Sequence, residues 1–105
     1  MRIITNKSLL LNSINIVQKA VPSKTTLPIL EGILFNAQKG KLTLTSTDLE
    51  LSIETSIDVD VIEHGSVILP SRIIGEIARK LPDADVEIEK KDNYIYLTVK
   101  SASGV

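Results

Sequence analysis

The sequence has no cysteine, no tryptophan, a single histidine and three aromatic residues in 105. Each absence removes a class of chemistry. Without cysteine there is no disulfide framework, no thiolate zinc site and no Cys nucleophile, which fits a reducing compartment. With so few aromatics the core must be aliphatic, and the stacking platforms used by single-strand nucleic-acid binders are missing. His64 sits in Ile62-Glu63-His64-Gly65, a surface-turn pattern with no second His to share a metal. No Gly-x-Ser-x-Gly elbow and no Gly-rich phosphate loop occurs. No apolar run approaches the roughly 20 residues that span a bilayer, and Met1-Arg2-Ile3-Ile4-Thr5 has no signal-peptide pattern. A soluble, cytoplasmic protein without cofactor or metal is expected.

What remains is ordinary globular composition, 43% hydrophobic and 24% charged with a net charge of −1; the length suits one domain. Arg2 to Thr5 reads as a short strand. Asn6 is a plausible N-cap for a helix from Lys7 to Val21, with Leu10, Leu11, Ile14, Val17 and Val21 at helical spacing. Pro22 ends that helix, and residues 22–28 read as a loop. Ile29 to Asn36 is a buried strand, and Lys39-Gly40 is a turn before the strand Lys41 to Ser46. From Leu49 to Ile57 apolar Leu49, Leu51, Ile53 and Ile57 alternate with polar Glu50, Ser52, Glu54 and Ser56. Such alternation predicts an antiparallel sheet with one wet face.

The order then repeats. Val67-Ile68-Leu69 is a strand, and a second helix runs from Ser71 through Leu81. Val86 to Glu89 and Tyr94 to Lys100 form a hairpin around Asp92-Asn93. The predicted architecture is α+β, two strand-helix-strand-strand-strand units with the last strand of the second missing. Ser101-Ala102-Ser103-Gly104-Val105 reads as a turn toward something absent, so the chain is expected to be a truncated piece of a longer protein.

Charge is distributed unevenly. No acidic residue lies between Lys7 and Leu30, where Lys7, Lys19 and Lys24 are basic. The first helix carries a polar stripe of Ser8, Asn12, Asn15 and Lys19; the second carries Arg72, Glu76 and Arg79, with Lys80 beside them. Most acids fall in strands and turns, among them the pairs Asp58/Asp60, Asp83/Asp85 and Glu87/Glu89. Each pair is read as part of a solvated outer sheet face, which discourages edge aggregation. A neutral-to-basic helical layer over an acidic sheet layer suits a polyanion contacted through its phosphates, without sequence readout. The competing readings are a protein-interaction or oligomerisation module with no DNA role and, more remotely, a carboxylate–metal enzyme.

Three segments carry a family resemblance: Thr25-Thr26-Leu27-Pro28-Ile29-Leu30, Leu42-Thr43-Leu44-Thr45-Ser46-Thr47-Asp48-Leu49-Glu50, and Leu69-Pro70-Ser71-Arg72 with Leu81-Pro82. In this order the chain resembles the N-terminal domain of the bacterial DNA polymerase III beta subunit, the sliding clamp. The resemblance implies a clamp fold in which both helices line the channel of a ring and the sheets face outward. It implies a non-catalytic processivity factor, a homodimeric ring that encircles duplex DNA without sequence preference. Replicative polymerase and clamp loader would bind through later domains, and residues 1–105 would be the first domain. It places Lys24, Arg72, and Arg79 or Lys80 toward DNA, with Lys19, Asn12 and Asn15 on the same layer. It also places Ile73, Ile74 and Tyr96 toward the partner subunit.

Overall fold

The computed structural model describes residues 1–21, 31–48 and 50–100. Lys24, the start of the expected strand at Ile29-Leu30, Leu49 and the segment 101–105 lie outside the described residues. The elements run β1 (Arg2–Asn6), α1 (Lys7–Val17) with a single 3-10 turn (Gln18–Ala20), β2 (Gly32–Gln38), β3 (Lys41–Thr47), β4 (Ser52–Asp58), β5 (Asp60–Glu63), β6 (Gly65–Pro70), α2 (Ser71–Lys80), β7 (Asp85–Lys91) and β8 (Tyr94–Lys100).

All strand pairings are antiparallel, and they form two four-stranded sheets, ordered β5-β1-β7-β8 and β4-β3-β2-β6. The two units exchange their first strands: β1 lies beside β7 of the second unit, and β6 lies beside β2 of the first. Neither unit could close its sheet alone. β8 occupies the place in its unit that β3 occupies in the other. β3 has β4 on its outer side, whereas β8 has no outer neighbour among the described residues.

Residues 62–65, expected to be a surface turn, instead carry the chain from one sheet to the other. β5 pairs with β1, β6 pairs with β2, and only His64 separates them. Gly65 makes this possible. Its φ is 149°, and a Cβ there would lie 3.1 Å from Met1 Cβ. The turn at Lys39-Gly40 has positive φ at both residues, the two-residue geometry that suits the twist of a hairpin.

One core joins both sheets and both helices. Leu10, Ile14 and Val17 of α1, and Ile74 and Ala78 of α2, meet Ile3, Ile33, Phe35, Leu42, Leu44, Leu69, Val86 and Ile88 from the strands. β4 begins at Ser52, later than expected, because the Asp48 carboxylate accepts hydrogen bonds from the Glu50 and Leu51 amides. That local turn leaves Leu51 exposed.

The acidic outer face is less solvated than the alternation suggests. Glu87 stands opposite Val86 and Ile88, yet only 6% of it is exposed. Arg2 Nε donates to its Oε1 at 2.5 Å, and Lys100 Nζ lies 2.9 Å from its Oε2. The two cations lie on the neighbouring strands β1 and β8, so their stems cover the carboxylate. Asp58 and Asp60 do not share a face either, since they end β4 and begin β5 in different sheets.

Candidate nucleic-acid interface

α1 begins where Asn6 leaves helical geometry and its Oδ1 accepts from the Leu9 amide at 2.8 Å, the bond of a polar N-cap. Its apolar positions recur at Leu10, Ile14 and Val17 and face the core. Ser13 is buried among them, with its hydroxyl donating to the Leu9 carbonyl at 2.9 Å. The opposite stripe, Ser8, Asn12, Asn15 and Lys19, is exposed, as the sequence predicts. In α2, Ser71, Ile74, Gly75 and Ala78 face inward, and Arg72, Glu76, Arg79 and Lys80 are exposed.

The helices meet at a tight seam. Gln18 Nε2 donates to the Ser71 carbonyl at 3.0 Å, tying the end of the α1 segment to the start of α2. Gly75 allows the approach: a Cβ there would lie 2.4 Å from Gln18 Nε2 and 3.2 Å from an Arg79 guanidinium nitrogen. Beside the seam opens a cleft of about 570 Å³ whose walls include Gln18, Ser71, Arg72 and Arg79. Two of the expected DNA-facing residues, Arg72 and Arg79, are thus brought to one cleft. Lys80, Lys19, Asn12 and Asn15 lie exposed on the same two helical segments without lining it.

The electrostatics separate this layer from the rest. The helical segments hold five basic residues, Lys7, Lys19, Arg72, Arg79 and Lys80, against the single acid Glu76. Among the described residues none of those five forms an ion pair. Arg2, Lys41 and Lys100, in the strands, are instead tied to Glu87, Asp58 and Glu87. Neither helix has an acidic residue in its first turn, so both positive helix ends are left without local compensation. No group of three His, Cys, Asp or Glu side chains that could hold a metal occurs among the described residues.

The expected partner-facing residues do not form one patch. Ile73 is 52% exposed, but Ile74 is only 5% exposed and belongs to the core. The correction follows from the helix period. Ile74 shares the inward stripe with Ser71 and Ala78, whereas Ile77, four residues after Ile73, shares its outward face. Ile77 is 41% exposed, and the i, i+4 spacing in the sequence could have identified it. Tyr96 is exposed on β8 opposite Glu89, and its ring centroid is 6.4 Å from that of Tyr94. It points away from the sheet side on which Leu97 reaches the core.

Known proteins share this sequence pattern and this architecture. The beta sliding clamp of Halalkalibacterium halodurans is 36% identical over 113 aligned positions, which cover 100% of this chain and 30% of that protein. The crystal structure of the DNA polymerase sliding clamp from Bacillus subtilis superposes with a TM-score of 0.91 at 36% identity, covering 97% of this chain and 29% of that one. Caulobacter crescentus pol III beta gives a TM-score of 0.90 at 31% identity, over 94% of this chain and 27% of that one. The chain therefore spans less than a third of the length of these relatives. Residues 1–103 match the family described as the DNA polymerase III beta subunit, N-terminal domain, and by that match, the whole-length similarity and the shared two-helix, two-sheet architecture this chain belongs to that family.

Proposed function

We propose that residues 1–105 are the first domain of a sliding clamp, a non-catalytic processivity factor. Two copies of the longer protein close a ring around duplex DNA and tether the replicative polymerase. The observation that carries this reading is the helical layer. Its two helices and the 3-10 turn after α1 hold five cations with no ion-pair partner among the described residues, on a chain whose net charge is −1. A ring need not bind its DNA tightly, because release requires opening. Weak phosphate contacts then leave it free to slide, and tethering raises the effective concentration of polymerase at the template. Lys24, Arg72, Arg79 and Lys80 serve the DNA, with Lys19, Asn12 and Asn15 on the same layer. Ile73 and Ile77, with Tyr96 nearer the β8 edge, serve the partner subunit. The loader and polymerase act through domains beyond this one.

The test is the salt dependence of duplex binding by the full-length protein. Replacing Arg72, Arg79 and Lys80 together with Ala should flatten the slope of log K against log salt by up to about 0.9 for each phosphate no longer neutralised. An unchanged slope would remove the helical layer from the DNA interface. Absence of duplex binding at any salt would favour an interaction module instead.

A further inference from the structure

α1 ends a turn before its sequence pattern does. Val17 is followed by the 3-10 turn Gln18–Ala20, although the apolar spacing of Ile14 and Val17 runs on to Val21. Pro22 accounts for the extended backbone at Val21, with φ −75° and ψ 122°. It does not account for a change of helix type that already begins at Gln18, and no glycine lies in the segment.

The residue packed against this change is Ser46. It lies on the inner side of β3 with Leu42 and Leu44 and is 2% exposed. A buried hydroxyl needs a partner, and that of Ser46 donates to the Val17 carbonyl. In a continuing α-helix the Val17 carbonyl would accept from the Val21 amide, four residues on. The Val21 amide donates instead to the Gln18 carbonyl at 3.1 Å, the shorter step of a 3-10 turn. Burial changes with it. Ala20 is 2% exposed and joins the interior, while Val21 is only partly buried and stands in the wall of the cleft beside the helix seam.

The turn in its place sets Gln18, whose carboxamide donates to the Ser71 carbonyl at 3.0 Å. α2 starts there with no side-chain cap of its own, so its first turn is held from the α1 side. The Ser71 carbonyl shares a planar peptide unit with the Arg72 amide, so this bond fixes where Arg72 leaves the helix beside the cleft it lines. Two hydrogen bonds thus connect the inner face of a sheet to the basic helical layer, one from Ser46 to the end of α1 and one from Gln18 to the start of α2.

We propose that Ser46 is a positioning residue for DNA contact. Buried out of reach of DNA, it ends α1 at Val17 and, through Gln18, aims Arg72 at a phosphate. This role rests on the reading of Arg72 as a DNA-facing residue. The test is the salt dependence of duplex binding by the full-length protein, in a cycle of Ser46→Ala, Arg72→Ala and the double variant. Arg72→Ala should flatten the slope of log K against log salt by about 0.9, the share of one phosphate contact. Ser46→Ala should flatten it comparably, and in the Arg72→Ala background it should change nothing further. Ser46→Cys keeps the volume with only a weak donor, so it should match Ser46→Ala and carries the test if the alanine variant does not melt cooperatively. Gln18→Ala should give the same loss, with no added effect when combined with either Ser46 variant. Wild-type slopes in the Ser46 variants alongside a flattened Arg72→Ala would overturn the proposal, as would losses at Ser46 and Arg72 that simply add. If Arg72→Ala itself leaves the slope unchanged, the DNA-facing reading of Arg72 fails first, and the role of Ser46 falls with it.

Discussion

The seam between the helices yields a double-mutant prediction at Gly75. Alanine in a helix interior is favoured over glycine by about 1 kcal/mol, and Gly75 lies in the middle of the ten-residue α2. In isolation Gly75→Ala should therefore stabilise. Here the new Cβ would stand 2.4 Å from Gln18 Nε2. The Gln18 carboxamide has to move, and its bond to the Ser71 carbonyl at 3.0 Å is broken. A hydrogen bond of this kind contributes about 0.5–1.5 kcal/mol, so the two effects nearly cancel and Gly75→Ala alone should change stability by little. In a Gln18→Ala background the bond is already gone and the clash with it. There Gly75→Ala should recover about 1 kcal/mol, or roughly 4–8 °C for a domain of this size. Urea unfolding of the four proteins closes the cycle. If Gly75→Ala stabilises both backgrounds equally, the coupling is zero and Gln18 does not hold the helices together.

Other consequences concern the core and the outer sheet. Phe35 is fully buried, and Phe35→Ala should cost about 3–5 kcal/mol in urea unfolding, a large share of the roughly 5–15 kcal/mol that holds an ordinary domain together. A cost below about 1 kcal/mol would mean that the sheets do not close on it. The Arg2 and Lys100 hydrogen bonds hold the Glu87 carboxyl below the usual carboxylate range, against the opposing effect of burial. A depressed folded-state pKa gives stability that is complete above the unfolded value, about 4.3, and is lost as pH falls through the folded one. The difference between wild type and Glu87→Gln should therefore be constant at neutral pH and shrink below about pH 4.3. A difference that grows on acidification would contradict the ion-pair assignment.

The parts of this fold that are legible in the sequence are those set by local periodicity. α2 is bounded by Pro70 and Leu81-Pro82, and its inward and outward faces follow from a 3.6-residue period. The hairpin of β7 and β8 is announced by Asp92-Asn93, and Asp92 does take positive φ. What is not legible depends on contacts distant in sequence. The crossing at His64-Gly65 is decided by Met1, against which only a glycine fits. The burial of Glu87 is decided by Arg2, 85 residues away in the chain, and by Lys100. α1 stops at Val17 with a 3-10 turn, short of the predicted Val21. Of the site, the exposed stripes on both helices are readable from spacing. That Arg72 and Arg79 share a cleft is not, because Gln18 and Gly75 build the seam beside it. Ile74 departs from its expected place because neighbours in sequence are not neighbours on a helix face.

The central claim is topological, so the most direct measurement changes DNA topology and leaves the protein untouched. The full-length protein is loaded on nicked circular duplex, the DNA is then linearised, and retention is compared before and after the cut. A ring that encircles DNA and holds it by weak phosphate contacts should stay on the circle and slide off the linear form. Equal retention on both would mean that the helical layer binds DNA as an ordinary surface, and the account of a sliding clamp would be wrong.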